Sequence, residues 1–173
     1  MFIFVTGGQR SGRSNYALRR ASELGPPPWR YVTAGDETDE TARRRIERTR
    51  KDQEAIWQTA AMPADLASVL KPEAVAGLGA VVLDSFSTWL AGRIAGTPTS
   101  QDQALLGEVE VLADKFYRSK VPLVVVSQEQ NMGDPPDAAA ERYVRMIAGA
   151  NQLLAGMAGS VVLMISGVPL KVR

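Results

Sequence analysis

Short apolar runs alternate along this chain with longer stretches in which apolar residues return every third or fourth position, the signatures of buried strands and amphipathic helices. Phe2 to Thr6 predicts a first strand, followed by a glycine-rich turn and a helix through Tyr16, Ala17 and Leu18. Gly25-Pro26-Pro27-Pro28 stops that helix, because proline lacks the N–H that a helix interior needs. A second strand falls around Tyr31-Val32-Thr33, a charged helix from about Glu40 to Gln53, and a short strand at Trp57-Gln58-Thr59. Ala80 to Asp84 reads as a buried strand ending in a carboxylate, with a helix starting near Ser85-Phe86-Ser87. Leu105, Val109, Leu112 and Phe116 give one apolar face between Gln101 and Lys120, and Tyr143, Ile147, Ala150 and Leu154 do the same from Ala138 to Met157. Pro122 to Ser127 is a further buried strand. Val161 to Ile165 and Pro169 to Val172, joined through Ser166-Gly167, predict an antiparallel hairpin at a sheet edge. Strands alternating with helices imply an α/β fold, a mostly parallel sheet flanked by helices.

Composition narrows the function. The 173 residues suit one domain spanning residues 1–173, without repeats or linkers. Twenty Lys and Arg against nineteen Asp and Glu leave a net charge of +1, which argues against a nucleic-acid partner. No cysteine is present, which excludes disulfides and thiolate metal sites, and no histidine, which removes the commonest acid/base group. The apolar start at Met1 to Val5 is too short for a signal peptide, and no segment reaches the roughly 18 apolar residues of a membrane span, so a cytoplasmic location is expected.

Gly7-Gly8-Gln9-Arg10-Ser11-Gly12-Arg13-Ser14 has the spacing of a Walker A loop, with Arg13 where lysine is usual. Glycines let successive backbone N–H groups converge on phosphate oxygens, and the following helix N-terminus adds its own unpaired N–H groups. GTP or ATP is the expected ligand. Ser14 offers a hydroxyl to Mg²⁺, and Asp84 is the candidate Walker B carboxylate, with capping of the next helix as its alternative role. Arg13 keeps the positive charge for the β- and γ-phosphates, but as a planar fork in place of a compact ammonium.

The stretch Val5-Thr6-Gly7-Gly8-Gln9-Arg10-Ser11-Gly12-Arg13-Ser14-Asn15-Tyr16-Ala17 resembles the opening of the bifunctional adenosylcobinamide kinase/adenosylcobinamide-phosphate guanylyltransferases. The resemblance continues through Tyr31-Val32-Thr33-Ala34, Arg45-Ile46, Trp57-Gln58-Thr59, Asp84 with Trp89-Leu90, Val126-Ser127-Gln128-Glu129 with Met132-Gly133, Asn151-Gln152, and Ser166 to Lys171. It implies a RecA-like P-loop fold, a homotrimer, and a place late in cobalamin assembly. Members phosphorylate the aminopropanol arm of a cobinamide corrinoid and then transfer GMP through a guanylylated histidine. By family spacing that histidine falls at Arg48, and an arginine that stays protonated cannot form the phosphoramidate. Further departures are Gln53-Glu54 for an Arg-Pro pair, Ala61 for a glutamate, Gly92 for an asparagine, and a segment from Arg145 to Asn151 that is one residue short and lacks its aspartate. Three readings follow: a cobinamide-type kinase without histidine-mediated guanylyl transfer, a degenerate nucleotide-binding paralogue with a regulatory or assembly role, or a P-loop kinase for another alcohol.

Arg43, Arg44, Arg45, Arg48, Arg50 and Lys51 form a basic run on one predicted helix, either a solvated face or a wall that steers phosphorylated ligands. Glu129 follows a buried strand, where it either orients a substrate hydroxyl or faces water. Trp57 and Trp89 are expected in the core or at subunit contacts.

Overall fold

The computed structural model describes residues 1–34, 57–129 and 135–173. The predicted helix from Glu40 to Gln53, its basic run, Arg48 and Met132-Gly133 lie outside the described residues. Strand β1 (Phe2–Gly7) leads into α1 (Arg13–Ser22), then β2 (Trp29–Thr33) and β3 (Trp57–Ala61). A 3₁₀ turn (Leu66–Leu70) and the one-turn helix α2 (Pro72–Val75) precede β4 (Ala80–Asp84) and α3 (Phe86–Ala95). The chain continues through α4 (Asp102–Tyr117), β5 (Leu123–Val126), α5 (Ala138–Met157), β6 (Ser160–Ile165) and β7 (Val168–Lys171).

The seven strands form one sheet in the order β3-β2-β4-β5-β1-β6-β7. Every pairing is parallel except β6 with β7, the expected antiparallel hairpin at the edge. Side chains of a strand alternate between faces, so an apolar run fills two cores. Phe2 and Phe4 join Val81, Leu83, Leu123 and Val125 on the face covered by α3, α4 and α5. Ile3 and Val5 join Val82, Val124 and Val126 on the face covered by α1 through Ala17 and Ala21. α1 ends at Ser22, ahead of Gly25, as its last turn tightens into i−3 bonds from Glu23 and Leu24. Trp57 stacks against Trp29 at 5.3 Å and Trp89 against Phe86 at 5.3 Å, so both serve packing within the chain. No described helix is long and apolar enough to cross a membrane.

A polar clamp ties α4 to α5. Arg142 donates to Asp102 Oδ1 through Nη2 at 2.7 Å and to the Thr97 carbonyl at 2.6 Å, while Arg145 reaches Asp102 Oδ2 at 3.2 Å. The Arg142 guanidinium holds the Asp102 carboxyl below its usual value of 3.8. A depressed carboxylate pKa contributes stability that is present above 3.8 and lost as pH falls through the lowered value. Asp102→Asn is therefore expected to lower the thermal unfolding midpoint at neutral pH, and the gap to wild type should close on acidification; melting curves over a pH series check this.

Candidate nucleotide-binding site

The carboxyl ends of the central strands β1, β4 and β5 gather the predicted site residues at one end of the sheet. Gly7 closes β1 beside Met164 of β6 with φ 151°, and a Cβ there would sit 2.5 Å from the Met164 carbonyl oxygen. Gly8, Gln9 and Arg10 are exposed, and Arg10 takes φ 58°, turning the loop back. Ser11 donates its N–H to the Gly8 carbonyl at 3.2 Å and accepts from Gly167 N–H at 3.0 Å, so the β6–β7 turn braces the loop from the side. Gly12 caps α1 with φ 92° and no side-chain bond, and the first turn carries no acidic residue. The first N–H groups of α1 thus lack the side-chain cap that usually satisfies them, the condition under which a helix start accepts an anion. The Ser11 hydroxyl is the one buried side-chain polar atom without a hydrogen-bond partner among the described residues.

Arg13 and Ser14 form the first two positions of α1. Arg13 Nη1 donates to the Ser127 carbonyl just beyond β5, so the cation links the loop to the strand next to β1. Ser127 is fully buried and donates its hydroxyl to Asn151 Oδ1 at 2.7 Å; Asn151 Nδ2 donates to the Gln128 carbonyl at 2.9 Å. The Gln128 N–H donates to Ser87 Oγ at 3.1 Å, which in turn shares a hydrogen bond with Ser85. Glu129 is held by its own N–H on the Gly7 carbonyl at 2.9 Å and accepts from Thr6 Oγ1 at 3.0 Å. It is exposed, and its carboxylate is fixed beside the loop.

Asp84 is only 5% exposed, and its Oδ2 accepts a 2.6 Å hydrogen bond from the Tyr31 hydroxyl. It does not cap the next helix. That position belongs to Ser85, whose side chain accepts from Thr88 N–H. The capping alternative therefore falls, because Ser85 is the residue with its backbone at the helix boundary.

Asn151, Ser127, Ser87 and Tyr31 were not expected at the site. Asn151 had a signal: it lies four residues after Ile147 and three before Leu154, a polar group within the apolar stripe of α5. Asn151→Ala should leave the buried Ser127 hydroxyl and Gln128 carbonyl short of a partner, costing about 1–3 kcal/mol in urea unfolding. Gly92, where family spacing expects asparagine, is exposed on α3 and a Cβ there meets nothing within 4 Å, so space does not explain that departure.

A metal would rely on few protein ligands. No group of three Asp, Glu, His or Cys side chains that could hold an ion occurs among the described residues. A serine hydroxyl and one carboxylate are nevertheless hard oxygen donors that suit Mg²⁺, which is commonly bound by one or two carboxylates together with substrate phosphates.

The family model for cobinamide kinase / cobinamide phosphate guanyltransferase matches residues 3–172. The chain is 28% identical over 184 residues to the bifunctional adenosylcobalamin biosynthesis protein CobU of Salmonella typhimurium, covering all of both chains. It is 29% identical over 170 residues to the bifunctional adenosylcobalamin biosynthesis protein CobP of Pseudomonas aeruginosa, covering 98% of this chain and 95% of the relative. The CobU protein of Escherichia coli is 27% identical over 184 residues, again across both full chains.

Proposed function

Because this chain belongs to the cobinamide kinase / cobinamide phosphate guanyltransferase family, we propose that it transfers the terminal phosphoryl group of GTP or ATP to the side-arm hydroxyl of cobinamide during cobalamin biosynthesis. The observation that carries this reading is the glycine loop at the end of β1, with the uncapped start of α1 behind it. Backbone N–H groups of the loop Gly7 to Ser14, other than that of Ser11 on the Gly8 carbonyl, would hold the β- and γ-phosphates, and the Ser11 hydroxyl supports this as a buried donor in need of an acceptor. Arg13 keeps a permanent positive charge beside the loop while bonded to β5. Ser14 and Asp84 would hold Mg²⁺, which when bound offsets the charge of the phosphate oxygens. Glu129, fixed by Thr6, is the candidate to orient the acceptor hydroxyl and take its proton as the new O–P bond forms and the bond to the nucleoside diphosphate breaks. By family resemblance the working form is a homo-oligomer, a trimer, for which size-exclusion chromatography with light scattering is the direct check.

Histidine-mediated guanylyl transfer is lost in this reading, since the chain has no histidine to carry GMP. Incubation with GTP labelled in the α-phosphate is expected to leave no covalent nucleotide on the protein after denaturation, whereas phosphate labelled in the γ-position should appear on cobinamide. An adduct would overturn the first expectation, and unlabelled cobinamide despite measurable nucleotide binding would overturn the second. The latter outcome would favour a nucleotide-binding protein without turnover, a reading supported by the Tyr31 hydroxyl already occupying one oxygen of Asp84.

A further inference from the structure

A second concave site runs alongside α1, separate from the phosphate loop. Tyr16, Arg19, Arg20 and Glu23 follow one another at i, i+3, i+4 and i+7, which aligns them on a single helix face. Opposite them stand Ser160 and Val162 of β6 and Pro169 and Lys171 of β7, alternate residues on one face of the hairpin, with Lys171 paired across to Val162. The cavity between these walls has a volume of about 330 Å³. That lies at the lower end of the roughly 300–1,000 Å³ typical of small-molecule sites, too little for a corrinoid. No residue from Gly7 to Ser14 lines it.

Its charge is lopsided. Three cations, Arg19, Arg20 and Lys171, meet one carboxylate, Glu23, which is taken by Arg20 at 2.8 Å. Arg19 lies 5.7 Å over the Tyr16 ring, and among the described residues no carboxylate forms an ion pair with Arg19 or Lys171. A solvated surface would let these long side chains spread apart, as like charges prefer. Here the helix and hairpin bring them around a common hollow that buried Val162 and exposed Pro169 also line. Clustered cations around a shared hollow gain most from an anion, and a phosphate monoester answers the charge with its phosphate and sets its organic part against Val162 and Pro169.

We propose that this cleft between α1 and the β6–β7 hairpin is a second anion site, which takes a small phosphorylated molecule independently of the phosphate loop. Calorimetric titration with ribose 5-phosphate and with inorganic phosphate, at matched ionic strength, tests it on the full chain. The double variant Arg19→Gln/Lys171→Gln is expected to weaken ribose 5-phosphate binding at least about tenfold, equivalent to roughly 1.4 kcal/mol, with nucleoside triphosphate binding unchanged. A loop variant, Gly8→Val, which adds its side chain where nothing stands within 4 Å, should do the reverse. Both altered cleft residues are solvent-accessible, and circular dichroism verifies the fold of each variant. The proposal is overturned if neither probe binds saturably, if the double variant binds as wild type, or if ribose 5-phosphate binding falls with the loop variant, which would assign it to the nucleotide site. Inorganic phosphate binding as tightly as ribose 5-phosphate would remove the role given to Val162 and Pro169 and overturn the preference for an organic monoester.

Discussion

Replacing Gly7 by alanine is expected to abolish nucleotide binding, raising Kd at least about 100-fold, or roughly 2.7 kcal/mol. Two costs combine at this residue. Its φ of 151° lies where side chains rarely go, and strain of that kind costs on the order of 1–3 kcal/mol. The new Cβ would also stand 2.5 Å from the Met164 carbonyl oxygen and 2.8 Å from Ser11 Oγ. The first neighbour is backbone in the adjacent strand and cannot swing aside, so β1 and β6 must separate or the loop must lift. Either movement misaligns the N–H groups that would meet phosphate. Gly92→Ala is the matched control: it adds the same methyl within α3, where nothing stands within 4 Å, and should raise stability by roughly 0.5–1 kcal/mol with no effect on binding. Calorimetric titration with a non-hydrolysable triphosphate, beside urea unfolding, distinguishes the two; retained affinity in Gly7→Ala would remove the loop from the binding site.

Asp84→Asn should leave the fold and the nucleotide affinity nearly intact while lowering phosphoryl transfer to cobinamide about 10²–10³-fold, the usual loss when one electrostatic contact to a developing charge is removed. Asparagine keeps an oxygen for the Tyr31 hydroxyl, so that buried donor retains its acceptor. What disappears is the negative charge that would hold Mg²⁺. Tyr31→Phe separates the two roles of that carboxylate: if the hydroxyl merely positions Asp84, turnover falls modestly and the Mg²⁺ dependence shifts to higher concentration. Equal rates for Asp84→Asn and wild type at saturating Mg²⁺ would rule Asp84 out as the metal ligand.

The apolar runs made the strands legible because a parallel sheet covered on both faces demands uniform hydrophobicity. Ala80 to Asp84 and Leu123 to Val126 were evident for that reason. The loop was equally evident, since its chemistry resides in contiguous residues. What stayed hidden depends on register. Tyr31 pairs with Val82 of β4, which puts its ring on the same face as Asp84, two residues further on, and no local pattern announces that diagonal meeting. The Arg13 contact with Ser127, 114 positions apart in sequence, likewise depends on β5 lying beside β1. The stretch before β4, with its 3₁₀ turn and four-residue α2, was too short for periodicity to register.

The strand order also bears on when this protein can become competent during synthesis. β1 leaves the ribosome before the other six strands but occupies a place between β5 and β6, so neither of its neighbours exists until residues 123–126 and 160–165 have been made. Until then Phe2 to Val5 remain an unpaired apolar ribbon, a hazard for aggregation and a natural target for a chaperone. Nascent chains halted before Pro122 should fail to retain nucleotide however long they wait, and those extended beyond Arg173 should capture it promptly.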